Sequence, residues 1–227
     1  MPFTIAVTGL RELGRRRAAL VLVVVLPLAF YAARFDQQGQ AVRFLAIGVG
    51  WAVATLALFS HVSSRHLDRR LTVVGASPTA LLLGRQVALL LTGLAISAVY
   101  YCLVALTQEV ERLWAVGLLL TTTVFISAPL GAVVSLVLPR ELEGALALLA
   151  VMATQMLADP GGALAKALPL WSTRELAAYA VDPVGDDYLD RGLLHFAAVL
   201  ALCVAAAWTA SVIRLRPQRL PAPQPNP

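Results

Sequence analysis

Uncharged apolar runs recur along this chain, separated by short clusters of arginine and acidic residues. Phe44 to Ser64, Gln86 to Thr107, Leu113 to Leu138 and Leu193 to Ile213 each reach the roughly 20 residues a helix needs to cross a hydrocarbon layer of about 30 Å. Ala18 to Ala33 is shorter, but Arg17 and Arg34 bracket it. Their charged heads can extend to the two interfaces while the stems stay in the apolar layer. Gly144 to Ala158 is also uncharged, and at about 1.5 Å per residue it covers roughly 22 Å before Asp159 arrives. No segment alternates apolar and polar residues for long enough to make a barrel strand, and a spanning segment must satisfy its own backbone. The pattern therefore predicts an all-α membrane protein with six spans, at about 18–33, 44–64, 86–107, 113–138, 144–158 and 193–213.

The stretches between the spans have a grammar of their own. Phe3, Val7, Leu10 and Leu13 recur at helical steps while Arg11, Glu12, Arg15 and Arg16 occupy other faces, which predicts an amphipathic helix over 1–17 lying in the membrane interface. Arg15 to Arg17 ahead of an apolar run also suits a secretory signal, with Ala32 and Ala33 near a cleavage site; we take the run as a retained span.

Between the second and third spans, Leu67, Leu71 and Val74 fall on one face of a short helix whose other face carries Asp68, Arg69 and Arg70. Gly75 is a stop signal, and Ser77 followed by Pro78 is an N-cap with proline at the first helical position.

After the short fifth span, Asp159-Pro-Gly-Gly breaks the helix, and 163–168 can form a brief turn of helix. Ser172 with Glu175 matches a capping box opening a second short helix to about Val181, while Pro169 and Trp171 suit an interfacial belt. Two short re-entrant helices would fill the thickness that the fifth span lacks, leaving a vestibule near Thr154, Gln155 and Asp159.

Composition and charge add a direction. Apolar residues make up 59% of the 227 and charged residues 14%, well under the roughly 25% of soluble domains, so the apolar surplus faces lipid. The N-terminus, the 2–3 hairpin, the 4–5 turn and the tail hold 12 of the 18 Lys+Arg against 6 on the opposite face; acidic residues divide 4 against 9. Positive charge marks the cytoplasmic side, so both termini are expected there. The net charge of +5 follows from this bias and does not point to nucleic acid. The tail over 214–227 joins Arg214, Arg216 and Arg219 to a proline run, predicting an extended, dispensable segment.

Several chemistries lack their residues. The lone lysine, Lys166, follows Ala165, so no phosphate loop of the Gly-Lys-Ser/Thr kind can form. His61 and His66 do not share a helical face, and Cys102 and Cys203 fall at mid-span where small apolar packing explains them. His195 reads as an interfacial group, and Asp186, Asp187 and Asp190 as a solvated acidic turn. Without Asp, Glu, Lys or Arg in the span interiors, ion-coupled transport loses its main support.

The run from Asp68 to Arg85 resembles the segment joining the second and third spans of ABC-2 type transporter permeases, with weaker echoes at Ala128 to Gly131 and Leu168 to Trp171. The resemblance extends to the whole layout but is sharp only from about Arg65 to Arg85. It implies a non-catalytic permease subunit in the inner (plasma) membrane of a bacterial cell, driven by a separate ABC ATP-binding subunit that holds ATP and Mg. By position, Asp68, Arg69, Arg70, Leu71, Val74 and Gly75 would form the coupling helix that docks on it.

A second permease chain, alike or unlike, would complete a dimer. The substrate path would run between facing spans near Thr55, Ser60, Thr154, Gln155 and Asp159, with apolar walls suited to export of a hydrophobic or amphipathic drug, peptide or lipid. No cofactor is implied in this chain. Two rival readings are a haem-exporter-type permease of cytochrome c maturation, which would want an acidic coupling segment and paired haem-facing histidines, and a membrane scaffold or sensor with no transport path.

Overall fold

The computed structural model describes residues 2–215 apart from 16, 139 and 160. The tail beyond Leu215, and the side chains of Phe3 and Leu13 on the expected amphipathic face, lie outside the described residues. Within them the regular structure is α-helical: α1 Pro2–Arg15, α2 Arg17–Ala32, α3 Gln38–Ser63, α4 Arg65–Val73, α5 Pro78–Thr107, α6 Leu113–Val137, α7 Glu141–Leu157, α8 Ala163–Ala167, α9 Trp171–Val181 and α10 Asp187–Arg214.

Four of these, α3, α5, α6 and α10, are long and apolar enough to cross a membrane. Helix α7, with 17 residues, is about 25 Å long. In α2 the described apolar stretch is Val23–Ala32. The long helices also run past the charge-free stretches read from the sequence. Arg43 sits inside α3 and pairs with Asp182, and Arg85 sits inside α5 and pairs with Asp68. A charged side chain with a partner does not end a helix, so the charge-free run measures the apolar section and not the helix.

The core is the parallel pair α3 and α6, in which Gly50 sits beside Thr123 and Ser127 and Ala54 beside Gly131 further along both helices. Gly131 of α6 lies so close to α3 that a Cβ there would stand 2.1 Å from the Ala54 carbonyl oxygen. Around this seam pack Val42, Leu45, Val49 and Val53 from α3 and Val116, Leu119, Leu120 and Val124 from α6. Helix α5 closes one side. Tyr100 donates its hydroxyl to the Val24 carbonyl, Tyr31 and Thr107 share a hydroxyl bond, and Gly9 faces Ala88, so α1 and α2 follow α5 in the same direction. Ala88 lies about 28 Å along α5 from Thr107, so α1 meets α5 roughly one hydrocarbon thickness from the far end. Helix α10 is peripheral, with Leu194, Leu202 and Ile213 exposed, and Gly192 and Ala207 the buried positions described along it.

The bundle has two ends. One gathers α4, the α6–α7 turn and the end of α10. The other gathers the α2–α3 and α5–α6 turns and the end of α9, where the Arg112 guanidinium donates to the Tyr179, Asp182 and Val184 carbonyls at 2.7, 3.1 and 3.1 Å. A cation on these last carbonyls completes the helix C-terminus.

Helices α8 and α9 fold back from this second end into the middle of the bundle. Leu170, between them, reaches Gly50 near the midpoint of α3, and Thr173 Oγ1 lies 3.2 Å from Thr123 Oγ1 near the midpoint of α6. Gly50 is about 18 Å along α3 from Gln38, which measures the depth of the turn. Two details differ from expectation. The N-cap of α9 is Leu170 and not Ser172, whose hydroxyl is buried inside the helix, and Glu175 pairs with Arg191 instead of closing a capping box. Trp171 is buried edge-to-face on His195 at 5.1 Å, away from any interfacial belt, because the hairpin carries it inward.

Candidate functional site

Short-range chemistry builds the joint between α4 and α5. Ala76 donates its N–H to the Leu71 carbonyl at 2.9 Å and Gly75 to Thr72 at 3.1 Å, the paired bonds of a Schellman stop. Gly75 takes φ +94°, a conformation a side chain resists. Two residues on, Ser77 Oγ accepts the Ala80 N–H at 3.2 Å and Pro78 opens α5. One helix thus ends and the next begins within four residues.

A longer-range contact turns the joint into a rigid elbow. Arg85 donates from both terminal nitrogens to the two oxygens of Asp68, each at 2.8 Å. Arg65 donates to the Ser135 carbonyl at the end of α6, and Trp208 of α10 donates to Thr79 Oγ1 at 3.2 Å. A push on α4 would therefore reach α5 directly, and α6 through Arg65.

The elbow sets which face of α4 is presented. Asp68 turns inward, away from the surface shared by the exposed Arg69 and Arg70. Val73 and Val74 are 88% and 81% exposed and Leu67 is also exposed, while Leu71 is half-buried and Gly75 exposed. Apolar side chains facing outward on a charged helix are the kind of surface a partner covers.

Beneath α4 lies a cleft of about 130 Å³ lined by His61, Arg65, Asp68, Arg69, Arg85 and Arg214, with apolar wall from α5, α6 and α10. Arg214 donates to the Leu136 carbonyl at 3.1 Å. Burial, then the charges of Arg214 and Arg69, pull the Arg65 guanidinium below its ordinary range.

A second cavity, of about 180 Å³, sits between α3, α7 and α9. Gln155 lines it, is 4% exposed, and neither of its amide atoms has a hydrogen-bond partner. Arg43, Arg174 and Thr173 bring polar atoms, with Phe44, Ile47 and Leu170 as apolar wall. Of the five residues expected along a path, this cavity gathers Gln155 alone. Thr154 is exposed and bonds back to Ala150, and Asp159 is exposed beyond the end of α7. Thr55 is buried on α3 about 12 Å from Ile47 towards α4, and Ser60 lies further along the same helix. Arg43 and Arg174 escaped the sequence reading because Arg43 sits in a stretch taken as an outer connection and Arg174 in a short helix read only for its capping box.

Among the described residues no three His, Cys, Asp or Glu side chains come together as a metal site, and Cys102 and Cys203 are unbonded. No family model matches the chain. No curated protein matches it either.

Proposed function

We propose that this chain is the membrane-spanning permease subunit of an ATP-driven exporter of the ABC-2 type, moving a hydrophobic or amphipathic cargo with the energy of a separate ATP-binding subunit. Six crossings arise if α2 and α7 join the four long helices, with the α8–α9 hairpin as a re-entrant element completing the layer over α7. The arginine bias supports a cytoplasmic α4 end, with both termini on that side. Helix α1 would start at that end and run beside the first part of α5, and a second permease chain would close the path.

One observation carries the reading: α4 presents Leu67, Val73 and Val74 outward while Asp68 and Arg85 lock it to α5. A solvated loop has no need of either feature, and a lever needs both. The cavity beside Gln155, between α3 and α7, supports a cargo path at that interface, with a few polar groups in apolar walls as ligand pockets have.

The test is co-purification from the native membrane. The full chain should bring down an ATPase whose hydrolysis depends on it, and Val73→Asp with Val74→Asp should cut that association at least about tenfold while insertion is unchanged. Stable isolation with no nucleotide-binding partner, or an association indifferent to the double variant, would instead indicate a scaffold.

A further inference from the structure

Both amide atoms of Gln155 lack a hydrogen-bond partner, although the side chain is 4% exposed and lines the cavity of about 180 Å³ between α3, α7 and α9. A buried amide left unmet is costly until a ligand meets it, and its complement is a group that both donates and accepts. Two guanidinium groups share the cavity. That of Arg43 is paired with Asp182. That of Arg174 donates to the Ala158 carbonyl at 3.3 Å, a neutral partner, while its neighbour in sequence, Glu175, turns to Arg191 at 3.3 Å. Arg174 therefore keeps donors and positive charge for a ligand. Phe44, Ile47 and Leu170 supply apolar wall. Met156 lines the cavity too and is exposed, on the flank of α7 that Leu149 and Leu146, also exposed, continue away from the second end of the bundle.

We infer that the cavity takes the head of a single-chain amphiphile that carries a carboxylate beside an amide, of the N-acyl amino acid class. The carboxylate suits the Arg174 fork, which can match two oxygens in one plane. The amide next to it meets Gln155 on both sides, its N–H donating to Oε1 and its carbonyl oxygen accepting from Nε2. An ionised fatty acid or a phosphodiester only accepts, so either would leave Oε1 buried and unmet. The acyl chain lies against Met156, Leu149 and Leu146, with bilayer lipid on its other side. A head near the second end of the bundle and a tail pointing to its middle is the orientation of a lipid in the leaflet on that side. As cargo, this class rests on the reading of the cavity as part of the path; as a bound ligand it does not.

The full chain in phosphatidylcholine nanodiscs, titrated calorimetrically with N-lauroylglycine, with laurate and with N-lauroylglycine methyl ester, tests it, with empty nanodiscs giving the partitioning background. N-lauroylglycine should bind saturably. Laurate, which keeps the carboxylate and lacks the N–H, and the ester, which keeps the N–H and lacks the charge, should each bind at least about fivefold more weakly. Gln155→Leu should bring N-lauroylglycine down to the affinity of laurate and leave laurate unchanged. Arg174→Gln should bring it down to the affinity of the ester. Equal binding of the three amphiphiles, or wild-type selectivity in Gln155→Leu, overturns the site. The ligand series on wild type makes the same comparison if Arg174→Gln does not fold, since Arg174 also holds the Ala158 carbonyl. Selective binding without ATP-dependent movement of N-lauroylglycine in native-membrane vesicles would keep the site and overturn the path. Unselective binding by a chain that still associates with an ATPase would overturn the site and keep the permease.

Discussion

Arg85 and Asp68 face each other with two parallel hydrogen bonds of 2.8 Å, on side chains that are 12% and 14% exposed. The pair spans the elbow between α4 and α5. Its fork-to-fork geometry needs a guanidinium, since an ammonium can bond as a point charge but cannot match both oxygens in plane. Asp68 therefore belongs to the mechanics of the joint and not to the outward surface of α4.

Removing one partner strands the other in a poorly solvated site, at a cost of about 3 kcal/mol. Asp68→Asn and Arg85→Gln should each lower the unfolding midpoint in detergent. The double variant should cost less than the sum of the two, leaving a coupling of about 1–3 kcal/mol in a double-mutant cycle. Additive losses would mean that α4 is not latched.

Gly131→Ala tests the α3–α6 seam. A methyl group there would meet the Ala54 oxygen at 2.1 Å and Ala57 Cβ at 2.7 Å, both on packed helix. Neither can move aside without parting the two core helices, so a loss of about 3 kcal/mol and a lower yield of monodisperse protein are expected. Gly161→Ala, with nothing within 4 Å of the added carbon, should stay within about 0.5 kcal/mol of wild type by thermal unfolding.

Gln155 offers a separation of folding from function. Both amide atoms lack partners in a buried setting, so Gln155→Leu should leave thermal stability unchanged or raise it by about 1 kcal/mol. If the amide serves cargo, transport in reconstituted vesicles should fall several-fold in the same variant. A stability loss with transport intact would make Gln155 a structural residue.

The four long helices, the stop at Gly75 and the start at Ser77 and Pro78 were all readable before any fold was known. Each depends on residues within a turn or two of one another, or on the apolarity of one uninterrupted run. The inward turn of Asp68 was not readable, because its partner is 17 residues away and the choice between solvent and Arg85 is made by how α4 packs on α5. The capping box failed for a related reason: burial of Ser172 and the pull of Arg191 on Glu175 outweigh a local pattern that would suffice in water. Gln155, Arg43 and Arg174, like the arginines beneath α4, come from helices far apart in the chain. A hydrophobic run says that a segment will be a helix in lipid, but lipid and protein are both apolar neighbours. Which side of that helix meets another helix, and which polar atoms are thereby enclosed together, depends on the fit of whole surfaces.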